Sequence, residues 1–386
     1  MTLKKSVSVF GVTGSIGTST VDILKSHADK YTVDAVTAYR NVDALANIAK
    51  ELNAQCAVIG DPALYQDLSD ALANTGIEVG AGENALIEAA ARPSDIVIAA
   101  IVGAAGLKPT LAAIRRGARV GLANKETLVC AGALMTAEVA KHNATLIPVD
   151  SEHSAIFQVL EDRADSQVDR ILLTASGGPF REWSLDQMRS VTRAQALAHP
   201  NWEMGAKISI DSATMMNKGL ELIEAWHLFP VAEEKIEIVV HPQSVVHSMV
   251  EYCDGSVLAQ LGSPDMRTPI AYALAWPERI KVDVPRLDFA TIGGLNFQKP
   301  DAKRFPALRL ARQALQEGGT LPTVLNGANE VAVAAFLEDR IGFLQIAEIV
   351  ETMMEKIGSQ PLTSLDQVFE TDACVRRETA VYIAAE

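Results

Sequence analysis

The chain has 386 residues, 48% of them hydrophobic and 21% charged, a composition that suits two or three globular domains with their own cores. A net charge of −14 excludes a general affinity for nucleic acid or anionic membrane, so any anionic ligand must be held by a local group of donors. Four scattered cysteines, Cys56, Cys130, Cys253 and Cys374, form no CxxC pair and read as reduced thiols, not bridges or metal ligands.

Lys4-Lys5 leads at once into a β-rich run, Ser6 to Phe10, with no apolar signal segment before it, so a cytoplasmic location is expected. That run ends in Gly11-Val-Thr-Gly14-Ser-Ile-Gly17, followed by an amphipathic segment to Ser26 and a second strand candidate, Tyr31 to Tyr39. Strand, glycine turn, helix and strand in this order open a dinucleotide-binding α/β fold, although the spacing is GxxGxxG with Thr13 where the commoner fingerprint has glycine. An NAD enzyme usually carries a carboxylate at the end of its second strand; here that place reads Tyr39-Arg40-Asn41, and an arginine favours the 2′-phosphate of NADP.

Alternation continues with helices over Val42 to Leu52, Pro62 to Thr75, Leu107 to Arg116 and Leu134 to His142. Strands are expected over Ala57 to Gly60, Asp95 to Ile101, Arg119 to Ala123 and Thr145 to Val149. The uncharged run Ile96 to Leu107 is too short to cross a bilayer. Two strands deliver polar groups at their carboxyl ends, where open α/β sheets place ligands: Asn124-Lys125-Glu126-Thr127 and Asp150-Ser151-Glu152-His153. Paired carboxylates one residue apart suit Mg²⁺ or Mn²⁺, and the same residues also fit a helix N-cap.

Arg170 to Ala175 is a strand candidate ending in Ser176-Gly177-Gly178-Pro179-Phe180, a small-residue turn able to offer N–H groups and a hydroxyl to phosphate. His199 to Gly205, with Pro200 and Trp202, reads as a loop able to cover a ligand. In Lys207 to Trp226 a strand-like lead-in, Ile208-Ser209-Ile210, precedes a helix that Asp211 and Ser212 would start. On that helix Asn217, Glu221 and Glu224 share roughly 60° of arc, with Lys218 beside them. Gly219 inside it implies a close approach to the backbone. Ser244 to Tyr252 and Ser256 to Leu261 flank Asp254-Gly255, a type I′ hairpin signal whose apolar face subunit pairing could cover. Pro277 to Pro300 lacks periodicity and reads as a linker. The rest is helical, over Ala307 to Gln316, Ala328 to Leu337, Phe343 to Ile357 and from Ser364, where Ser364 and Gln367 form a capping-box pattern.

The motifs GVTGSIG, NKET, VDSEHSA, ASGGPFR, HPNWEMG and SIDSATMMNKGLELIEA closely resemble those of the 1-deoxy-D-xylulose 5-phosphate reductoisomerase family, in order from residue 7 to about 330. The resemblance implies an oxidoreductase that rearranges 1-deoxy-D-xylulose 5-phosphate and reduces the product with NADPH to 2-C-methyl-D-erythritol 4-phosphate, for isoprenoid synthesis. It implies an α/β architecture: a Rossmann-like NADPH-binding domain over 1–149, a catalytic and dimerisation α+β domain with a mixed sheet over 150–276, a linker over 277–300 and a helical domain over 301–386. By motif, Asp150, Glu152 and Glu221 resemble the ligands of one Mg²⁺ or Mn²⁺ ion. Lys125 and Ser151 resemble substrate contacts, while Ser176, His199, Ser212, Asn217 and Lys218 resemble the phosphate site. Thr13, Gly14, Ser15, Ile16, Arg40, Asn41, Asn124, Glu126 and Gly205 resemble NADPH contacts. Many relatives have Gly-Lys-Asn where this chain has Tyr39-Arg40-Asn41; the charge is kept. A homodimer is also implied. The rival readings are another NADP-linked dehydrogenase, which would not need three separated carboxylates, and a non-catalytic NADP sensor, which could lose Lys125, Glu152 or Glu221.

Overall fold

A computed structural model describes residues 4–160, 167–202 and 204–385; Glu203, inside the expected covering loop, lies outside the described residues. Packing groups the chain into two units. One comprises the chain up to Thr127, Met135–Phe157 and Asp265–Pro285; the other comprises Leu128–Leu134, Gln158–Pro264 and the chain from Arg286 on. These divisions differ from the sequence boundaries at residues 149, 276 and 300.

The first unit is an α/β sheet. Its strands are β1 (Lys5–Phe10), β2 (Tyr31–Ala38), β3 (Cys56–Ile59), β4 (Glu78–Ala81), β5 (Ile96–Ala99), β6 (Arg119–Leu122) and β7 (Thr145–Pro148). Crossover helices α1 (Ser15–Ser26), α2 (Val42–Glu51), α3 (Tyr65–Ala71), α4 (Gly82–Ala91), α5 (Leu107–Arg115) and α6 (Glu126–His142) connect them, and α7 (Ser151–Val159) follows β7. All seven strands are parallel, in the order β4-β3-β2-β1-β5-β6-β7. Helices cover the central strands, which is why β5 reads as a continuous apolar run and β1 is buried from Val7 to Phe10, Ser8 included. The order reverses beside β1, so the crevice for a ligand opens where the turns after β1 and β5 part. Gly11 makes that turn possible: its φ is +84°, and a Cβ there would strike the carbonyl of Ala100. The β4–α4 pair is absent from the expected elements because β4 spans four half-buried or exposed residues and α4 is alanine-rich without a sharp apolar stripe.

In the second unit, β8 (Val168–Ala175) leads to the short helices α8 (Leu185–Met188) and α9 (Arg193–Leu197), then to α10 (Ala206–Ala213) and α11 (Met216–Leu228). Strands β9 (Ile236–Val240), β10 (Val246–Tyr252) and β11 (Val257–Leu261) complete a mixed sheet ordered β11-β10-β8-β9, in which β10 runs antiparallel to its neighbours and β9 parallel to β8. The stretch expected as a strand, Ile208-Ser209-Ile210, is helical. Lys207 and Asp211, one turn apart at 2.8 Å, brace α10, and left-handed Met215 (φ 64°) separates it from α11, which therefore starts at Met216 and not at Asp211. The β10–β11 turn is also not type I′. Only Gly255 has positive φ, Gly255 N–H donates to Tyr252 O at 2.8 Å and Tyr252 N–H to Ser256 O at 2.8 Å, the pattern of a type I turn followed by a left-handed glycine bulge.

After α12 (Arg267–Ala275), which packs with the first unit against α1, the chain carries one short helix, α13 (Phe289–Ile292). The expected linker is tied down in its second half, where Gln298 bridges Val240 and Asn296 O bonds His241 Nδ1 at 2.8 Å. Helices α14 (Ala307–Glu317), α15 (Leu321–Leu337), α16 (Gln345–Ile357) and α17 (Leu365–Ala385) close the second unit around α15, which is buried along nearly its whole length. At the start of α17, Gln367 N–H donates to Ser364 Oγ at 3.2 Å, but the Gln367 side chain accepts from Thr363 N–H instead of Ser364.

Helix α14 supplies the close approach that Gly219 implied: a Cβ on Gly219 would lie 2.7 Å from Ala311 Cβ and 3.2 Å from Ala307 O. Gly219→Ala should therefore lower stability by about 1–3 kcal/mol through overpacking, despite the roughly 1 kcal/mol that alanine gains in helix propensity. Urea unfolding measures this, and adding Ala311→Gly should cost less in the Gly219→Ala background than in the parent, because there it also relieves the Cβ–Cβ contact. An unchanged midpoint in the single variant would mean α14 yields freely.

Candidate active site

In the first unit the adjacent parallel strands β6 and β7 pair Leu122 with Pro148, so the residues just beyond their carboxyl ends fall side by side. Lys125 precedes α6 and Asp150 precedes α7, and Lys125 Nζ meets Asp150 Oδ2 at 3.1 Å. The other oxygen, Asp150 Oδ1, accepts the Glu152 N–H at 3.3 Å, while Ser154 N–H bonds Asp150 O at 2.8 Å. Asp150 thus caps α7 with one oxygen and faces a lysine with the other, so capping does not compete with a ligand role. Ser151 Oγ donates to Glu152 Oε2 at 2.6 Å, and buried His153 brings Nδ1 to 4.0 Å from Asp150 Oδ1. His153 stands in the VDSEHSA motif, although only its first three polar residues were expected to act.

At the nucleotide end of this unit, Gly14 caps α1, and Ser15, Ile16 and Gly17 start it, which aims first-turn N–H groups outward from the turn after β1. Arg40 lies exposed, with Nε 2.9 Å from Asp61 Oδ2 and its guanidinium 4.9 Å above the Tyr39 ring. Asn41 caps α2 through Ala44 N–H at 3.1 Å. Asn124 is buried and its side chain holds the turn after β5: it donates to Ile101 O and, at 2.9 Å, to Gly103 O, and accepts from Thr127 N–H at 3.0 Å. Its amide therefore shapes the loop beside the crevice. Glu126 is buried in the first turn of α6, and Thr13 lies half-buried in the glycine turn.

In the second unit Asn217, Lys218, Glu221 and Glu224 share α11, as the helical spacing predicts. The Asn217 amide and the Lys218 ammonium both donate to the Glu221 carboxylate, and Lys218, Glu221 and Glu224 are all buried. A carboxylate removed from water needs such partners. After β8, Gly177 and Gly178 take φ of +82° and +67°, conformations that fold the backbone into a concave turn, and Gly178 N–H donates to Ser176 Oγ at 3.2 Å. A Cβ on Gly178 would lie 2.7 Å from Ser212 O, so the turn rests on the end of α10.

His199 Nδ1 accepts the N–H groups of Asn201 at 3.2 Å and Trp202 at 3.0 Å, which leaves its proton on Nε2, 3.0 Å from Ser176 Oγ. Asn201 Nδ2 donates to Pro242 O at 2.6 Å and Ser244 Oγ at 3.0 Å, and the Trp202 ring lies 6.3 Å from that of His247. The loop is thus anchored at its start. Gly205 caps α10 through its backbone and is exposed.

A parallel sheet with a glycine turn at its switch point, together with lysine-held carboxylates at a strand end and on a buried helix face, defines a dinucleotide-dependent α/β enzyme. Family models described as 1-deoxy-D-xylulose 5-phosphate reductoisomerase match residues 7–132 and, for its C-terminal domain, residues 146–229; one described as DXP reductoisomerase C-terminal domain matches residues 261–378. The 1-deoxy-D-xylulose 5-phosphate reductoisomerase of Rhodospirillum centenum is 59% identical over 381 residues, covering 99% of this chain and 95% of that protein. The solved Zymomonas mobilis enzyme in complex with NADPH is 55% identical, covers 99% of both chains and superposes with a TM-score of 0.95. A DOX-P reductoisomerase solved with NADPH, fosmidomycin and magnesium is 45% identical over 98% of both chains, with a TM-score of 0.93. The chain belongs to the 1-deoxy-D-xylulose 5-phosphate reductoisomerase family.

Helix α11 also ends in a titrating group. The His227 ring is pressed on Gly132, where a Cβ would collide with it, and burial pushes its imidazole down from 6.5 to about 4. Because the folded form resists protonation, this stabilisation is complete above about pH 6.5 and is lost as pH falls toward 4. The stability difference between the parent and His227→Leu should therefore shift against the parent by about 3 kcal/mol from pH 7 to pH 4, read by urea unfolding. A constant difference would show that His227 protonates as easily folded as unfolded.

Proposed function

We propose that the chain catalyses the rearrangement of 1-deoxy-D-xylulose 5-phosphate and its reduction by NADPH to 2-C-methyl-D-erythritol 4-phosphate, with one Mg²⁺ or Mn²⁺ ion. The observation that carries this reading is the Lys125–Asp150 contact with Glu152 two residues on, at the carboxyl ends of β6 and β7 in a nucleotide-binding sheet. The relatives named with NADPH and magnesium support it. Among the described residues, no helix is long and apolar enough to cross a membrane. A cytoplasmic location and a homodimer belong to the same reading. For the dimer, edge strand β11 exposes Val257 and Leu258, and a second copy would cover them.

Asp150, Glu152 and Glu221 are the proposed cation ligands. Their donor set is entirely carboxylate oxygen, which fits a hard divalent ion, and the lysines beside Asp150 and Glu221 support the reading because both carboxylates already face positive charge. A bound ion would supply Lewis-acid polarisation of substrate oxygens. Lys125 then has a role of its own: its ammonium neutralises a developing alkoxide and can pass a proton to it. Ser151 offers a hydroxyl between the two carboxylates. Ser176, Ser212, Asn217, Lys218 and the Nε2–H of His199 hold the phosphate dianion, a donor set of hydroxyls, an amide and one ammonium that an acidic protein needs locally. NADPH, which supplies the hydride, is assigned to Thr13, Gly14, Ser15, Ile16, Arg40, Asn41, Asn124, Glu126 and Gly205. Trp202 covers the substrate during reaction, which keeps the reactive aldehyde dry.

Oxidation of NADPH should require both deoxyxylulose phosphate and a divalent cation; undiminished oxidation in excess chelator would refute metal dependence. Glu221→Gln should abolish most turnover while NADPH affinity stays near the parent's. Full activity at the same metal concentration would return Glu221 to a purely packing role. Arg40→Ala should weaken NADPH by about 1.5–3 kcal/mol and leave NADH almost untouched, since only NADPH has the 2′-phosphate. Equal NADPH Michaelis constants in both proteins would mean another group reads that phosphate.

A further inference from the structure

Asp211 is a carboxylate with 1% exposure in the last turn of α10, and no part of the proposed chemistry uses it. Two donors hold it: Lys207 Nζ at 2.8 Å from its own helix, and Asn329 Nδ2 at 2.8 Å from α15. Asn329 is fully buried, and its Oδ1 has no hydrogen-bond partner among the described residues. An amide with half its capacity unmet is an unfavourable filling for a helix core, where leucine would pack without such a loss. What the amide provides and leucine would not is the N–H directed at Asp211.

We propose that Asn329 is a positioning residue for the phosphate end of the site, acting through Asp211. This rests on the phosphate assignment made above. Asp211 precedes Ser212, whose carbonyl backs the Ser176-Gly177-Gly178 turn and accepts Met215 N–H at 3.2 Å at the break before Asn217 and Lys218. The Asn329–Asp211 bond fixes the rotation of α10 about its own axis. A rotation of about 10° would move an atom at the helix surface by roughly 1 Å, enough to misalign donors aimed at a small dianion. The C-terminal helices therefore act as the rigid back wall of the phosphate cradle.

The test uses the full-length protein, inorganic phosphate as an activity-independent probe followed by ³¹P NMR, and steady-state kinetics. Asn329→Asp places two buried carboxylates together and should weaken phosphate binding and raise KM for deoxyxylulose phosphate about tenfold, the scale of one lost charge-assisted hydrogen bond. The NADPH KM should change far less, by about twofold at most, because of the groups assigned to NADPH only Gly205 borders α10, and kcat should stay within about threefold. Combining it with Asp211→Asn restores an amide–carboxylate bond in the opposite sense and should bring phosphate affinity back to within about threefold of the parent. Unchanged phosphate affinity in folded Asn329→Asp, or a loss that the swap fails to repair, would overturn the proposal. Should Asn329→Asp not fold, Asn329→Ser takes its place: weakened phosphate binding supports the bond's role and unchanged binding refutes it. A parent protein that binds phosphate but does not oxidise NADPH would instead count against the proposed reaction, leaving this test intact.

Discussion

Carboxylates that must stay ionised out of bulk water need positive charge beside them, and the chain meets this need with a lysine in each unit. Lys125 stands on Asp150 and Lys218 on Glu221, the first at the end of one strand facing the next, the second on the preceding turn of one helix. Removing either lysine would leave a buried or half-buried anion uncompensated, which is far costlier than never having built the pair. The same arrangement places carboxylate oxygens and ammonium groups side by side, which is the material the proposed cation and phosphate sites draw on. In a chain of net charge −14, a positive group has to be placed locally wherever the fold buries a carboxylate.

The fold makes those local placements cheap in conformational terms. Parallel strands β6 and β7 in register carry Lys125 and Asp150 to neighbouring positions without help from loops. The helix period places Asn217, Glu221 and Glu224 on one face. The strand-order reversal at β1, with Gly11 in a left-handed conformation against Ala100, opens the crevice at the head of α1. Short turns at strand ends and helix starts therefore hold most candidate groups, and the longer segment around His199 and Trp202 is pinned by Asn201.

The parallel order of the first unit, the placement of NKET and VDSE at strand ends, the shared face of α11 and the helical C-terminal region were legible in the residues, because each rests on local periodicity or on strand–turn–helix succession. The misreadings have physical causes that a local window does not contain. Ile208-Ser209-Ile210 alternates like a strand, yet the Asp211 bond to Asn329, 118 positions away, and the Lys207 brace favour helix. Asp254-Gly255 carries the hairpin signal, but only Gly255 enters the left-handed region, which shifts the turn by one residue. Gly219 announced a close neighbour without naming α14 as that neighbour. Asp150 fits a cap and a ligand alike in the sequence, and the structure adds that one of its oxygens caps α7 while the other meets Lys125.

The central claim is that Asp150, Glu152 and Glu221 together ligate one divalent cation. Its most direct test is the anomalous scattering of manganese in crystals of the protein grown with Mn²⁺. The account predicts one strong peak per chain bonded to a carboxylate oxygen from each of the three residues, at the roughly 2.0–2.2 Å expected of a small hard cation. A peak held by a different set of residues, or none at saturating Mn²⁺, would contradict it.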